Sequence, residues 1–168
     1  MELQWFVIQW FVISVLVGFE AAWMTLAVLN NVRHAEHNRA SVVAVMQMTW
    51  VAEDMPESYT AFQHRRCLFD AFPHAAFRIV VMVECCTALA LWVASITALL
   101  VAFGMAAATI AAPVVVLGSL AFCVPWAAFL IGGEWFVYFA TSRSPQHTHF
   151  FLLIWGILTL IAISLLAA

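Results

Sequence analysis

The chain has 168 residues, 66% of them hydrophobic and only 9% charged. A soluble domain carries about a quarter of its residues as charged groups, so this composition excludes an ordinary soluble fold and implies a lipid-facing surface. The net charge of −3, with six basic residues that are all arginine, leaves no footprint for nucleic acid. The four cysteines form no CxxC pair, so neither a zinc ribbon nor a disulfide framework is signalled, and Cys85, Cys86 and Cys123 read as small apolar residues inside apolar runs.

A hydrocarbon core of about 30 Å is crossed by roughly 20 apolar residues in a helix. The first such segment covers residues 5–29 and stops at Asn30-Asn31. Its start, Met1-Glu2-Leu3-Gln4, lacks the basic n-region of a signal peptide and the apolar run is too long for one, so it reads as a retained helix. A polar stretch, 30–74, follows. Within it Asn38 to Trp50 reads as a short helix with Asn38 as N-cap. Val42, Met46 and Trp50 recur at i, i+4 and i+8, so this helix can lie in the interface plane with its apolar face in lipid or on the bundle. An acidic turn (Glu53, Asp54, Glu57) and a basic cluster (His64-Arg65-Arg66) come next; solvated loop charge is their default reading.

The second span covers 75–103 and stops at Gly104; the third covers 107–131, holds Pro125 as an expected kink, and stops at Gly132-Gly133. A polar stretch, 133–149, leads to the fourth span, 150–167. Continuous apolar runs, rather than alternation, exclude barrel strands. The fold class is therefore an all-α integral membrane four-helix bundle, one domain, with a short interfacial helix between the first two spans.

Four crossings put both termini on one side, side A, and both polar stretches on the other, side B. All six histidines and all six arginines then fall on side B or at its boundary, Arg78 by snorkelling. Two carboxylates lie inside spans. Glu20 is about ten residues from the side B end of the first, and Glu84 is ten residues past His74 in the second. At 1.5 Å per residue both are placed about 15 Å deep. A charge there is costly, so such residues face the bundle interior, where they pair or take up a proton. Glu134, beside Trp135 at the side B interface, is positioned to bond with His74, Arg78 or a histidine of the fourth span.

The histidines also raise a haem or metal reading, with His74, His147, His149 and Glu134 as the candidates and the His34–Glu36–His37 group beside them. None lies deep in a span, where haem ligands usually sit, so interfacial hydrogen bonding is the preferred role and no cofactor is assigned. Nothing makes a nucleophile–base–acid set, and there is no phosphate loop, so an autonomous hydrolase or NTPase is not expected.

The side B pattern resembles a bacterial family of predicted small integral membrane proteins (domain of unknown function twenty-one sixty-five). The resemblance rests on Asn30-Asn31, Asn38, Asp54-Met55-Pro56, Arg65, Pro73-His74 and Glu84, and above all on Ile131-Gly132-Gly133-Glu134-Trp135-Phe136. It implies the fold and marks Glu84, Glu134, His74, Arg65, Asn31 and Trp135 as functional candidates, to which the intramembrane position adds Glu20. It brings no activity with it. The chain departs from the family in having Ala44 and Thr49 where the family's short helix carries a histidine and an aspartate, in an uncharged turn between spans two and three, and in Glu20.

The resemblance also implies a bacterial inner membrane location. Arginine counting puts side B in the cytoplasm, whereas the family's basic turn puts it in the periplasm; the second orientation is adopted. Two functions compete. The first is a non-catalytic accessory subunit of a larger membrane assembly, redox or respiratory, with lipid and other membrane subunits as partners. The second is an autonomous proton or cation conductor, or a cofactor- or quinone-binding protein, using a path from Glu20 through Glu84 to His74 and Glu134.

Overall fold

The computed structural model describes residues 2–141 and 143–166. In chain order it runs α1 (Glu2–Arg33), α2 (Ala35–Met46), α3 (Thr49–Asp54), α4 (Pro56–Phe62), α5 (Ala71–Ala102), α6 (Ala108–Trp135) and α7 (Arg143–Leu166), with single 3-10 turns at Gln63–Arg65 and Tyr138–Ala140. The described residues contain no strand. α1, α5, α6 and the Pro145–Leu166 part of α7 are long and apolar enough to cross a membrane, as the apolar runs require.

The spans run past the limits of their apolar runs. α1 continues through Asn30-Asn31 to Arg33, and α5 starts at Ala71. At 32 residues each they measure about 48 Å, more than a hydrocarbon core needs. α6 continues through Gly132-Gly133 to Trp135 and carries Pro125 within a continuous helix, and α7 begins at Arg143 rather than at Phe150. In α1 the extra turn is held by Asn31, whose side chain bonds with Glu84 of α5 and Asn38 of α2.

α1 packs on α5, α5 on α6 and α6 on α7, while α1 and α7 meet over a much smaller surface. The α1–α5 seam is stitched by polar contacts. Ser14 Oγ donates to the Ser95 carbonyl at 2.8 Å and Ser95 Oγ donates to the Ser14 carbonyl at 2.9 Å. Nearer side B, Trp92 Nε1 donates to Thr25 Oγ1 at 3.0 Å. In an apolar bundle each such bond is worth about 0.6 kcal/mol on average. The core between the helices is small and aliphatic, with Ile13, Val17, Leu91, Ala94, Ala98 and Val115 fully buried. Large apolar side chains such as Leu3, Phe19, Leu89, Ile110 and Leu158 point outward, where a membrane places its lipid.

The expected short helix is present but divided. α2 ends at Met46, Met48 takes a left-handed conformation (φ 56°), and α3 starts at Thr49. Asn38 is not its N-cap: it lies in the second turn of α2, and its side chain reaches back to α1. Val42 and Met46 of α2 and Trp50 of α3 nevertheless all line one space against the bundle. A second non-glycine residue with positive φ, Val137, packs with Met48 and Val51 in a small satellite core. Positive φ is strained for a β-branched residue. Packing of this satellite core holds the α2–α3 and α6–α7 corners together.

Gly118 sets the α5–α6 distance. A Cβ there would lie 2.8 Å from Ala94 Cβ and 3.3 Å from the Ala90 carbonyl oxygen, whereas one at Gly132 would meet nothing within 4 Å. Overpacking of this kind costs about 1–3 kcal/mol. Gly118→Ala is therefore expected to lower the unfolding temperature in mild detergent, while Gly132→Ala leaves it unchanged.

Candidate functional site

The light closure between α1 and α7 leaves a partly open cavity of about 800 Å³ at the side B end. α2 covers it with Ser41, Val42, Val45 and Met46, and Trp50 follows from α3. Its floor is aromatic and aliphatic: Trp23 and Leu26 from α1, Trp126 and Phe129 from α6, Leu152 from α7. Polar groups converge on the wall, namely Asn30, Asn31, Asn38, Glu84, Tyr138, Thr148 and His149.

The polar wall begins with a chain of hydrogen bonds. Asn38 Nδ2 donates to Asn31 Oδ1 at 2.8 Å, and Asn31 Nδ2 donates to Glu84 Oε2 at 2.6 Å. Glu84 is only 3% exposed, and no described arginine or histidine pairs with it. The chain ties α2 to α1 and α1 to α5, so the cavity and the fold share the same bonds. It also corrects an expectation. Glu84 is level with Asn31, eleven residues along α1 from Glu20, which separates the two carboxyls by about 16 Å along the bundle. They lie at different levels of the bundle, because both α1 and α5 project beyond their apolar runs.

Across the cavity, His149 stacks near Trp126 (ring centroids 5.8 Å, 20°) and leans on Phe129 (4.8 Å). Its Nδ1 lies 3.4 Å from the Tyr138 hydroxyl, and burial pushes the Tyr138 phenol above its ordinary range, so the phenol keeps its proton. The ring of Tyr138 lies against Gly133, where a Cβ would come within 2.5 Å of Cε1. Any side chain at position 133 would therefore displace the Tyr138 ring from the cavity wall.

The remaining sequence candidates are dispersed. Arg65 stands over the Phe62 ring at 4.6 Å and the Trp135 ring at 5.4 Å, so Arg65 and Trp135 meet in a cation–π anchor that fixes α4 to the end of α6. Glu134 is exposed and bonds with none of the partners expected for it among the described residues. His74 is exposed and lines a separate hollow of about 370 Å³ with Glu36, Arg39, Ala44 and Thr49. Ala44 and Thr49 thus share a hollow with His74, whose charged groups are Glu36 and Arg39. Glu20 lies below the cavity floor, completely buried.

Among the described residues no hydrogen bond joins Glu20 to Glu84, and His74 and Glu134 do not line the cavity that Glu84 lines. His147 is exposed, and His149 and His74 belong to different cavities. Among the described residues no group of three or more His, Cys, Asp or Glu could hold a metal ion. The acidic turn and the basic cluster form no ion pair among the described residues. Asn38, Tyr138, Trp126 and Phe129 were not singled out as site residues. Asn38 could have been, since an asparagine spaced seven residues from Asn31 lies on the same side of a helix two turns away, and the intervening break only folds it inward.

Two comparisons with known proteins found nothing: no curated protein and no solved structure matches the chain. The third was informative. The model of the family described as predicted small integral membrane protein, domain of unknown function twenty-one sixty-five, matches residues 9–166, and the chain belongs to that family. The match takes in all four spans, well beyond the run of short motifs on side B.

Removing the Arg65 guanidinium should cost about 1 kcal/mol or more, given its partial burial between two rings. Arg65→Ala is expected to lower the unfolding temperature in mild detergent, with little rescue by Arg65→Lys. Arg33→Ala, at an exposed site, serves as the neutral comparison.

Proposed function

We propose that this member of the family is an intramembrane binding protein for an amphipathic small molecule, of the quinone or lipid class, held in the side B cavity. One observation carries the reading: a cavity of about 800 Å³, walled by apolar and aromatic side chains, onto which a few polar groups converge. Ligand sites have this form, apolar for affinity and sparsely polar for orientation. A polar head would meet the Asn38–Asn31–Glu84 chain on one wall and His149 with Tyr138 on the other. An apolar body would lie over Trp23, Leu26 and Phe129 and leave between α1 and α7, where the bundle is least closed. The protein would sit in a bacterial inner membrane with side B toward the periplasm.

The accessory-subunit reading keeps one specific support. Leu68 and Phe69, just ahead of α5, and Phe72 in its first turn are 70%, 67% and 60% exposed on side B, and an apolar group of that kind suits a partner subunit of a redox or respiratory assembly. Co-purifying polypeptides in mild detergent would favour it; a protein that runs alone at high yield would count against it.

The ligand reading is tested by extracting the purified protein with organic solvent and identifying what is released. A near-stoichiometric quinone or lipid is expected from the wild type. Ala128→Trp, which fills the cavity, should remove it, and Glu84→Gln should weaken its retention about tenfold or more, the effect of losing one charge-assisted hydrogen bond. Equal recovery from all three proteins would refute the reading.

A further inference from the structure

Beneath the cavity floor, toward side A, oxygen atoms from three helices converge in the apolar core. Glu20 on α1 and Ser119 on α6 are fully buried, and Thr159 on α7 is 3% exposed. The Ser119 and Thr159 hydroxyls stand beside the Glu20 carboxyl. Yet neither carboxyl oxygen, nor Ser119 Oγ, closes a well-formed hydrogen bond. No described arginine or histidine pairs with the carboxyl. Its titratable neighbour is Cys123 on α6; Glu84 on α5 and His149 on α7 belong to the outer cavity, one level up.

The three oxygen-bearing residues share a level. Glu20 precedes Trp23 by three residues, Ser119 precedes Phe122 by three, and Thr159 follows Trp155 by four. Each therefore lies one helical turn, about 5 Å, below an aromatic residue of its own helix. Those rings touch one another. Trp155 meets Trp23 edge-on at 6.4 Å and Phe122 at 5.6 Å, and Phe122 meets Trp126 at 5.7 Å. Trp23 and Trp126 line the cavity above, so these rings from α1, α6 and α7 lie between the cavity and the oxygen cluster.

We propose that Glu20, with Ser119 and Thr159, forms an inner proton-binding site, separated from the outer cavity by the Trp23–Trp155–Phe122 layer. A lone carboxylate in hydrocarbon is strongly disfavoured, and one proton removes the charge without requiring a counter-ion. A carboxyl with a purely structural role would be expected to hold permanent hydrogen bonds to its neighbours. Here the neighbours are hydroxyls, which donate to a carboxylate and accept from a carboxylic acid. Small rotations of Ser119 and Thr159 let them serve the ionised and the protonated state in turn. The inner site shares no residue with the cavity lining, so it stands or falls independently of the ligand reading.

The experiment is infrared difference spectroscopy on the full chain in liposomes, titrated with pH in water and in D2O. A carboxylic-acid carbonyl band should be present, be absent from Glu20→Gln, shift in D2O and disappear as the pH is raised. Ser119→Ala and Thr159→Val should each change the apparent proton affinity about tenfold, as expected for a hydrogen bond to a charged group. Should Glu20→Gln fail to assemble, the band is assigned by its response to Thr159→Val and its persistence in Glu84→Gln. A band absent at every pH overturns the proposal, as does one that persists without a D2O shift at every pH the folded protein tolerates. A band lost on adding sodium chloride but not choline chloride overturns it in favour of a sodium site.

Discussion

A polar group inside a hydrocarbon-facing bundle must find its partner within the protein. The α1–α5 seam shows how this chain meets that demand at three successive levels: Ser14 with Ser95, Thr25 with Trp92, and Asn31 with Glu84. The last level does more than the other two. Asn31 also accepts from Asn38, so one chain of hydrogen bonds fixes the register of two spans and draws α2 over the end of the bundle. Take the amides away and Glu84 is left as a buried carboxyl without a donor, α2 loses its hold on α1, and the space beneath α2 no longer has a roof.

That space and the aromatic layer below it divide the molecule into compartments of different character. The outer cavity is large, partly open, and mostly apolar with a polar wall. The inner cluster is small and buried, and in it both Glu20 oxygens and the Ser119 hydroxyl have unspent hydrogen-bonding capacity. Trp23, Phe122, Trp126 and Trp155 meet between them through edge contacts, the arrangement that aromatic pairs favour. In a helical membrane protein the cost of every buried polar atom is high, so two such groupings on either side of one partition are the features most in need of a functional reason.

Much of this architecture could be read from the residues alone. The four spans follow from apolar run lengths, and the one-sided placement of histidine and arginine follows from counting crossings. What could not be read is how far each helix outlasts its apolar run. Asn30-Asn31 and Gly132-Gly133 are end signals by composition, but partners supplied by α2, α5 and the Tyr138 turn let the helices run on through them. That error in helix length put Glu84 at the depth of Glu20. The site was read in part: Glu84 and Asn31 do meet, Arg65 and Trp135 do meet, and Glu134 and His74 lie elsewhere. Ser119 and Thr159 went unnoticed because a lone hydroxyl in an apolar run has no spacing pattern. Only the convergence of three helices gives these two residues a common neighbour.

The central claim is that the outer cavity is a ligand site built on the Asn38–Asn31–Glu84 chain. A density map of the protein taken from native membranes without added ligand tests it most directly. The account predicts elongated density over Trp23 and Phe129, with its polar end within hydrogen-bonding distance of Asn31 or Glu84. A cavity closed by inward movement of α7, or filled by the side chains of a neighbouring subunit, would contradict it.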